Sequence, residues 1–415
     1  LAYFFIPYQT QTIMKTATTL NTKDNKLQFI DCLRGIAIIM VIFNHADWYL
    51  PKMDSFVQTL SDYGQMGVQL FFVVSAFTLC LSMDRRNDPN ENLKTFYIRR
   101  YFRIAPLYYV GIPLYLIYYS VVVPLIEGDK IAVADWYTIP NILANVFFVN
   151  DLTPGDANNR VVPGGWSIGT ETSFYALFPF IFLLYKKFRN NDIALMLIPL
   201  LGLVFSFFSI YTLQYFATQV AGYDNFFYFK QNGRFLYFNL LCQLPVFLMG
   251  ISLYFRSLNF RKSNSWDRVS LLFAFLGFTF IAIFVFSYFT TSISLLPFLP
   301  AVSFFFLFLI FKEIPAFSNH ILARIGQLSF SIYLFHFVFA FEGSRYLNHY
   351  LQDYISTEAI FLINVVLTTI LTSGVAVLSE KYIEKPGIDL GKRIIKRVKT
   401  KEKVPNFKAV HMEST

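Results

Sequence analysis

The chain is 415 residues long, and 55% of it is hydrophobic and 19% aromatic against only 15% charged. A soluble protein carries about a quarter charged residues, so this composition excludes an ordinary water-soluble fold and points to lipid as the solvent. The formal net charge is +9, which could suggest nucleic acid until the charges are placed along the chain.

Residues 1–13 are apolar but have no basic leader, and they make no convincing signal peptide. Met14-Lys15 reads like a natural start, with the first thirteen residues as an over-extension. Ten apolar segments follow, at about 34–50, 67–83, 104–124, 168–185, 193–213, 235–255, 269–288, 293–311, 327–342 and 359–379. Each is long enough, or nearly so, to cross a bilayer, which asks for about 20 residues per helix. The shorter ones suit helices that line a polar interior. Asn141–Asn150 is apolar but too short to span, and reads as an interfacial or re-entrant piece. No solenoid-period repeat or low-complexity linker divides the chain. The expectation is an all-α, polytopic membrane helix bundle of about ten transmembrane helices. It comprises an N-terminal tail (1–28), one membrane domain (29–386) and a basic tail (387–415).

With the N-terminus in the cytoplasm, 29 of the 35 Lys and Arg fall in inner segments and 6 in outer ones. That asymmetry obeys the positive-inside rule and makes both termini cytoplasmic. The basic excess is then a topology signal and an attraction to anionic membrane lipids, with no reason to invoke nucleic acid as a partner. The tail around Lys392-Arg393 to Lys399 reads as a helix lying on headgroups. Cys32, Cys80 and Cys242 lie in or beside apolar runs without metal-ligand spacing, so neither a disulfide framework nor a metal is expected. The aromatic stretch Tyr223 to Lys230 could stack on sugars, but Tyr and Trp also gather at membrane interfaces for purely physical reasons.

A few polar residues interrupt the apolar segments. Arg34 and His45 stand eleven residues apart, about three helical turns, so they share a stripe and lie roughly 16 Å apart. Such a stripe cannot face lipid and must face a protein interior or a wet cavity. The alternative is a juxtamembrane Arg and a His bonded to a neighbouring helix. Arg100 and Arg103 lie one turn apart, a spacing that suits two phosphates of one ligand held by planar guanidiniums. Topology also wants positive charge there. Glu171 follows Trp166-Ser167 at the mouth of the fourth segment, where a helix-start carboxylate is ordinary. Paired with His45, it could hold an imidazole tautomer able to deprotonate a hydroxyl. Ser75, Tyr333 and His336 are further intramembrane polar groups, though a membrane His commonly serves helix packing. The chain has no P-loop, dinucleotide-binding Gly-rich loop, Gly-x-Ser-x-Gly elbow, His-Glu-x-x-His or Cys-x-x-Cys.

Six motifs in order resemble the integral membrane acyltransferase family 3, bacterial ten-helix enzymes that O-acetylate surface polysaccharides. The resemblance runs from Phe29 to Pro386. Asp31-x-Leu-Arg34-Gly with His45 is similar to the family's Arg-x10-His signature. Gly67 to Phe77 around Ser75 resembles its second-helix motif, with Ala76 and Gln69 replacing a common Gly and Asp. Phe96 to Pro106 resembles its Arg-x-x-Arg segment through Arg100 and Arg103. Trp166-Ser-Ile-Gly-Thr-Glu171 resembles Trp-Ser-x-x-x-Glu, with Thr172 where a second acid is common. Ser331-Ile-Tyr333-Leu-Phe-His336 and Glu384-Lys-Pro386 resemble the closing motifs.

The resemblance implies acetyl-CoA, or another acyl-CoA, as a donor bound from the cytoplasm, and a hydroxyl of a glycan or glycolipid as acceptor at the outer face of a bacterial inner (cytoplasmic) membrane. It also implies a stand-alone form, since relatives with an added esterase-like domain carry it after the last span. The expected roles are phosphate grip for Arg34, Arg100 and Arg103, base or acyl relay for His45, and orientation of His45 or the acceptor for Glu171. Trp166, Ser167, Ser75, Tyr333 and His336 would shape the substrate path. The competing reading is an exporter of a lipid-linked or acidic solute whose path is lined by the same stripe. A third is a structural partner in an envelope assembly.

Overall fold

A computed structural model of the chain describes residues 28–84, 93–152, 160–219, 233–258, 265–288 and 293–403. The described residues form helices and turns without a strand. In order these are α1 (Gln28–His45), α2 (Ser55–Tyr63), α3 (Gly67–Asp84), α4 (Leu93–Ile117), α5 (Ile139–Val146), α6 (Gly165–Lys187), α7 (Asp192–Gln219), α8 (Gly233–Phe238), α9 (Leu240–Leu258) and α10 (Ser265–Tyr288). They continue with α11 (Leu295–Glu313), α12 (His320–Gln327), α13 (Ser329–Leu351), α14 (Thr357–Ser379) and α15 (Lys385–Lys403). Nine helical stretches among the described residues are long and apolar enough to cross a membrane. The tenth is α13, reached from α12 through an 81° bend. This is the polytopic all-α bundle the hydropathy pattern foretold.

Local signals set the helix starts. Asp54 caps α2 by accepting from Phe56 N at 2.9 Å, Asn319 caps α12 from Leu322 N at 2.8 Å, and Ser356 caps α14 from Ala359 N at 3.3 Å. Two sets of polar contacts mark the two ends of the bundle. At one end Asp31 accepts from Gln327 at 3.1 Å and Arg324 meets Glu380 at 2.8 Å. At the other, Asp54 N donates to Glu358 at 3.0 Å and Arg345 meets Glu127 at 2.9 Å. The start of α1 and the end of α14 therefore share one face, called here the N-terminal face.

The helices divide by environment. α3, α9 and α11 are apolar on nearly every side and sit in the core. In α10 only Ala282 is buried, and Phe273 and Phe280 stand exposed, as a helix flanked by lipid would have them.

Several boundaries differ from the hydropathy pattern. α4 begins at Leu93, not near 104, and continues through a π-turn (Tyr118–Val122) to Glu127. Its first turns carry the arginines and so escape an apolar count. α1 stops at His45 and a turn follows, whereas the apolar run continued to 50. α14 passes through a π-turn (Glu380–Glu384) directly into α15. The Asn141–Asn150 piece is the short helix α5 and the turns after it. The aromatic stretch Tyr223–Lys230, the start of the chain and residues beyond 403 lie outside the described residues.

Candidate active site

The site lies inside the bundle between α1, α3, α4, α6 and α13. Its first wall exists because α12 crosses α1 at backbone contact. Gly326 lies against the Asp31 carbonyl with no room for a Cβ, so any larger residue would push α12 off α1. Arg34 is held in the crossing, paired with Asp31 at 3.5 Å and donating to Thr78 Oγ1 at 3.3 Å. Arg34 and the exposed Arg103 line a cavity of about 90 Å³, which Ser75, Glu171, Tyr175 and Tyr333 also help to enclose.

Glu171 is placed differently from the sequence expectation. It accepts from Tyr175 Oη at 2.6 Å and from Ser75 Oγ, and Arg34 acts on Tyr175 and Glu171 electrostatically. The carboxylate is thus tied to α3 and to its own helix, and has no hydrogen bond to His45. The reason lies in the start of α6. Gly164 adopts φ 72°, which a residue with a side chain resists, and this turn sets α6 beside α13. The Gly164 carbonyl accepts from Tyr333 Oη at 3.0 Å, and Tyr333 bonds Ser167 Oγ at 2.8 Å. Tyr333 and Ser167 line the cavity on its side towards the opposite face.

Beyond Tyr333 lie two imidazoles. His45 and His336 meet edge to face with centroids 5.2 Å apart, and Phe337 packs on both at 4.6 and 4.0 Å. His45 Nδ1 donates to Val41 O at 2.8 Å and His336 Nδ1 to Tyr333 O at 2.7 Å. A carbonyl can only accept, so each ring carries its proton on Nδ1 and presents Nε2 as a lone pair. Asn364 fixes the geometry around the pair. Its amide donates to Ala46 O at 2.8 Å and Ala340 O at 2.9 Å, tying the end of α1 to α13 and α14.

The remaining candidates separate. Arg100 lies over the rings of Phe96 and Tyr175, at 5.7 Å from each, and does not line the cavity. The two arginines are therefore not equivalent. Trp166 stacks on Phe238 at 4.3 Å, which fastens α6 to α8, and is likewise absent from the cavity wall. Tyr175, Thr78, Gly164 and Asn364 escaped the sequence reading. Asn364, a carboxamide in the first third of the last apolar segment, was a visible signal. Among the described residues no three His, Cys, Asp or Glu gather as metal ligands would.

Outside the spans, burial displaces an acidic group. Burial pushes the Asp151 carboxyl up to about 6, against a weaker opposing hydrogen bond from Ser173 Oγ at 3.1 Å.

Comparison with known proteins adds an independent line. The model of the acyltransferase domain family matches residues 27–379. A peptidoglycan O-acetyltransferase of Listeria monocytogenes is 29% identical over 187 residues, 42% of this chain and 27% of that protein. A Staphylococcus aureus (strain COL) protein provisionally named an O-acetyltransferase is 27% identical over 412 residues, 88% of this chain and 58% of its own. A regulator of hypoxia-inducible factor 1 from Caenorhabditis elegans is 23% identical over 195 residues, 42% of this chain and 38% of its own. The chain therefore spans less than two thirds of each of these relatives. No solved structure gives a significant match.

Proposed function

The chain belongs to the acyltransferase domain family, and from that membership we propose that it is a membrane O-acyltransferase moving an acetyl group from cytoplasmic acetyl-CoA to a hydroxyl of an extracytoplasmic glycan or glycolipid. In this reading it sits in a bacterial cytoplasmic membrane with its N-terminal face inward. The observation that carries it is the polar column through an apolar bundle, from guanidiniums through hydroxyls and a carboxylate to paired imidazoles.

The cavity supports a small acyl group. At about 90 Å³ it is smaller than the roughly 150 Å³ apolar cavity that holds benzene. Only the thioester end of coenzyme A would enter, with the phosphates remaining at the mouth beside exposed Arg103. Arg34 would complete the anion site from inside. Asp31 supplies the ion pair that holds Arg34, and Glu171, which holds Ser75 and Tyr175, adds a weaker electrostatic attraction. The acceptor approaches from the opposite face, where His45 Nε2 removes its hydroxyl proton. Transfer from a thioester to an alcohol is downhill, so catalysis here consists of positioning and proton removal.

The test is incubation of the purified chain in lipid nanodiscs with radiolabelled acetyl-CoA and cell-envelope fractions. Label should appear in glycan or glycolipid. Movement of a solute across sealed vesicles with no label transferred would favour an exporter and refute the reading.

A further inference from the structure

The two imidazoles are not equivalent, and their differences divide the labour between them. His336 is wholly buried, and its Nε2 has no hydrogen-bond partner among the described residues. A histidine kept for packing would be expected to use that atom, because an orphaned buried lone pair costs stability that a phenylalanine would not. His336 is also one helical turn past Tyr333, which lines the cavity, and their rings are 5.7 Å apart. His45 is half-buried and borders the exposed Trp48 and Tyr49 at the end of α1. A group arriving from the cavity meets His336 first. A group arriving from the opposite face meets His45.

We propose that His336 is the acyl-accepting nucleophile and His45 the base serving the acceptor hydroxyl, so that transfer passes through an acyl-imidazole. The proposal rests on the reading of the chain as an acyl-CoA-dependent O-acyltransferase. In the first step the His336 Nε2 lone pair attacks the thioester carbonyl. The carbon–nitrogen bond forms, the carbon–sulfur bond breaks, and coenzyme A leaves as the thiolate. The Nδ1 proton stays on the ring against the Tyr333 carbonyl, leaving an electrophilic acyl-imidazolium. In the second step the acceptor oxygen attacks that carbonyl while its proton passes to His45 Nε2. The carbon–nitrogen bond breaks and its electron pair returns to His336. His45 then gives up the proton, which balances the thiolate, so the sum is thioester plus alcohol to ester plus thiol. Tyr333 must swing away from Ser167 and Gly164 for the first step, and its return would shut the acyl group away from the coenzyme.

The full chain in nanodiscs is mixed rapidly with labelled acetyl-CoA and no acceptor. A burst of about one thiol per chain is expected, with label retained on the protein. His336→Gln should abolish both burst and label while still binding acetyl-CoA. His45→Gln should keep both and lose transfer to the envelope acceptor by at least about 100-fold. Should His336→Gln fail to bind donor, cold acid-quenched wild type is mapped by mass spectrometry, and the acetyl mass must sit on His336. Acetyl on Ser167, a burst that survives His336→Gln, or a burst lost in folded His45→Gln would each overturn the proposal. Wild type that acetylates the acceptor without any burst would overturn it and leave the acyltransferase reading standing. Wild type that neither binds acetyl-CoA nor labels any acceptor would bring down both.

Discussion

Gly164→Ala isolates the turn that sets α6 against α13. Two costs arise. At φ 72° the new residue enters the left-handed region, at roughly 1–2 kcal/mol, partly offset by about 0.4–1 kcal/mol from a stiffer unfolded chain. Its Cβ would also lie 2.7 Å from the Tyr333 hydroxyl and 3.1 Å from the Phe337 ring. Overpacking of this kind typically costs ~1–3 kcal/mol. Gly128 supplies the control, because it has φ 76° and no described atom within 4 Å of a Cβ. Gly128→Ala should therefore show only the backbone cost, and Gly164→Ala an additional ~1–3 kcal/mol. Chemical unfolding of both variants in matched micelles measures the difference, and acetyl transfer measures its consequence. Displacing Tyr333 from Ser167 should lower transfer in Gly164→Ala and leave Gly128→Ala at the wild-type rate. Equal destabilisation of the two variants would refute the close packing of the α6 turn against Tyr333.

His45→Ala should reduce transfer by about 10²–10⁴-fold while the protein stays folded, since its ring bonds only its own helix; transfer within twofold of wild type would remove it from the chemistry. Arg103→Ala should weaken acetyl-CoA binding in calorimetry more than Arg100→Ala does, because only Arg103 lines the cavity; equal losses would contradict that distinction. Asp151 predicts a pH effect on stability. Its carboxyl is raised to about 6 when folded, so the folded state binds the proton more tightly than the unfolded one. That stability is fully present below the ordinary carboxyl range near 4 and is lost as pH rises through about 6. Melting temperatures should fall across that window in wild type and stay flatter in Asp151→Asn; parallel curves would refute the burial assignment.

The bundle was legible because lipid imposes so few solutions: an apolar run of sufficient length must be a helix with its backbone bonds closed internally. The polar stripe was legible for the same reason, since Arg34 and His45 have nowhere to go but inward. Pairings across helices were not legible. Glu171 looked available to His45 because helix counting gave the two a shared depth, but counting does not show where the start of α6 is set. The left-handed Gly164 and the contact of its carbonyl with Tyr333 set that start instead. Arg100 and Arg103 looked interchangeable at one-turn spacing, yet three residues advance a helix by ~300°, not 360°. That offset puts Arg103 at the cavity and Arg100 over two rings.

The last helix shows how a local irregularity can build a site that no periodicity reveals. Ser331 Oγ donates its one proton to Glu384 and is hydrogen-bonded at 2.9 Å to Ser379 Oγ, whose hydroxyl can donate in return. In a regular α-helix two positions five apart are separated by ~140° around the axis and could not both face one serine. The π-turn at Glu380–Glu384 bonds residues five apart, bringing positions 379 and 384 onto one side. Glu384 thereby becomes an electrostatic partner of Arg103, which reaches it from α4. Beyond the turn, α15 packs on α4 with Gly387 against Pro106 and Gly391 against Phe102, which fixes the helix carrying the arginine. The basic stretch that hydropathy reads as a surface tail thus begins as a buttress of the cavity mouth, and the acidic group that faces Arg103 is in place only because one helical turn is wound wide.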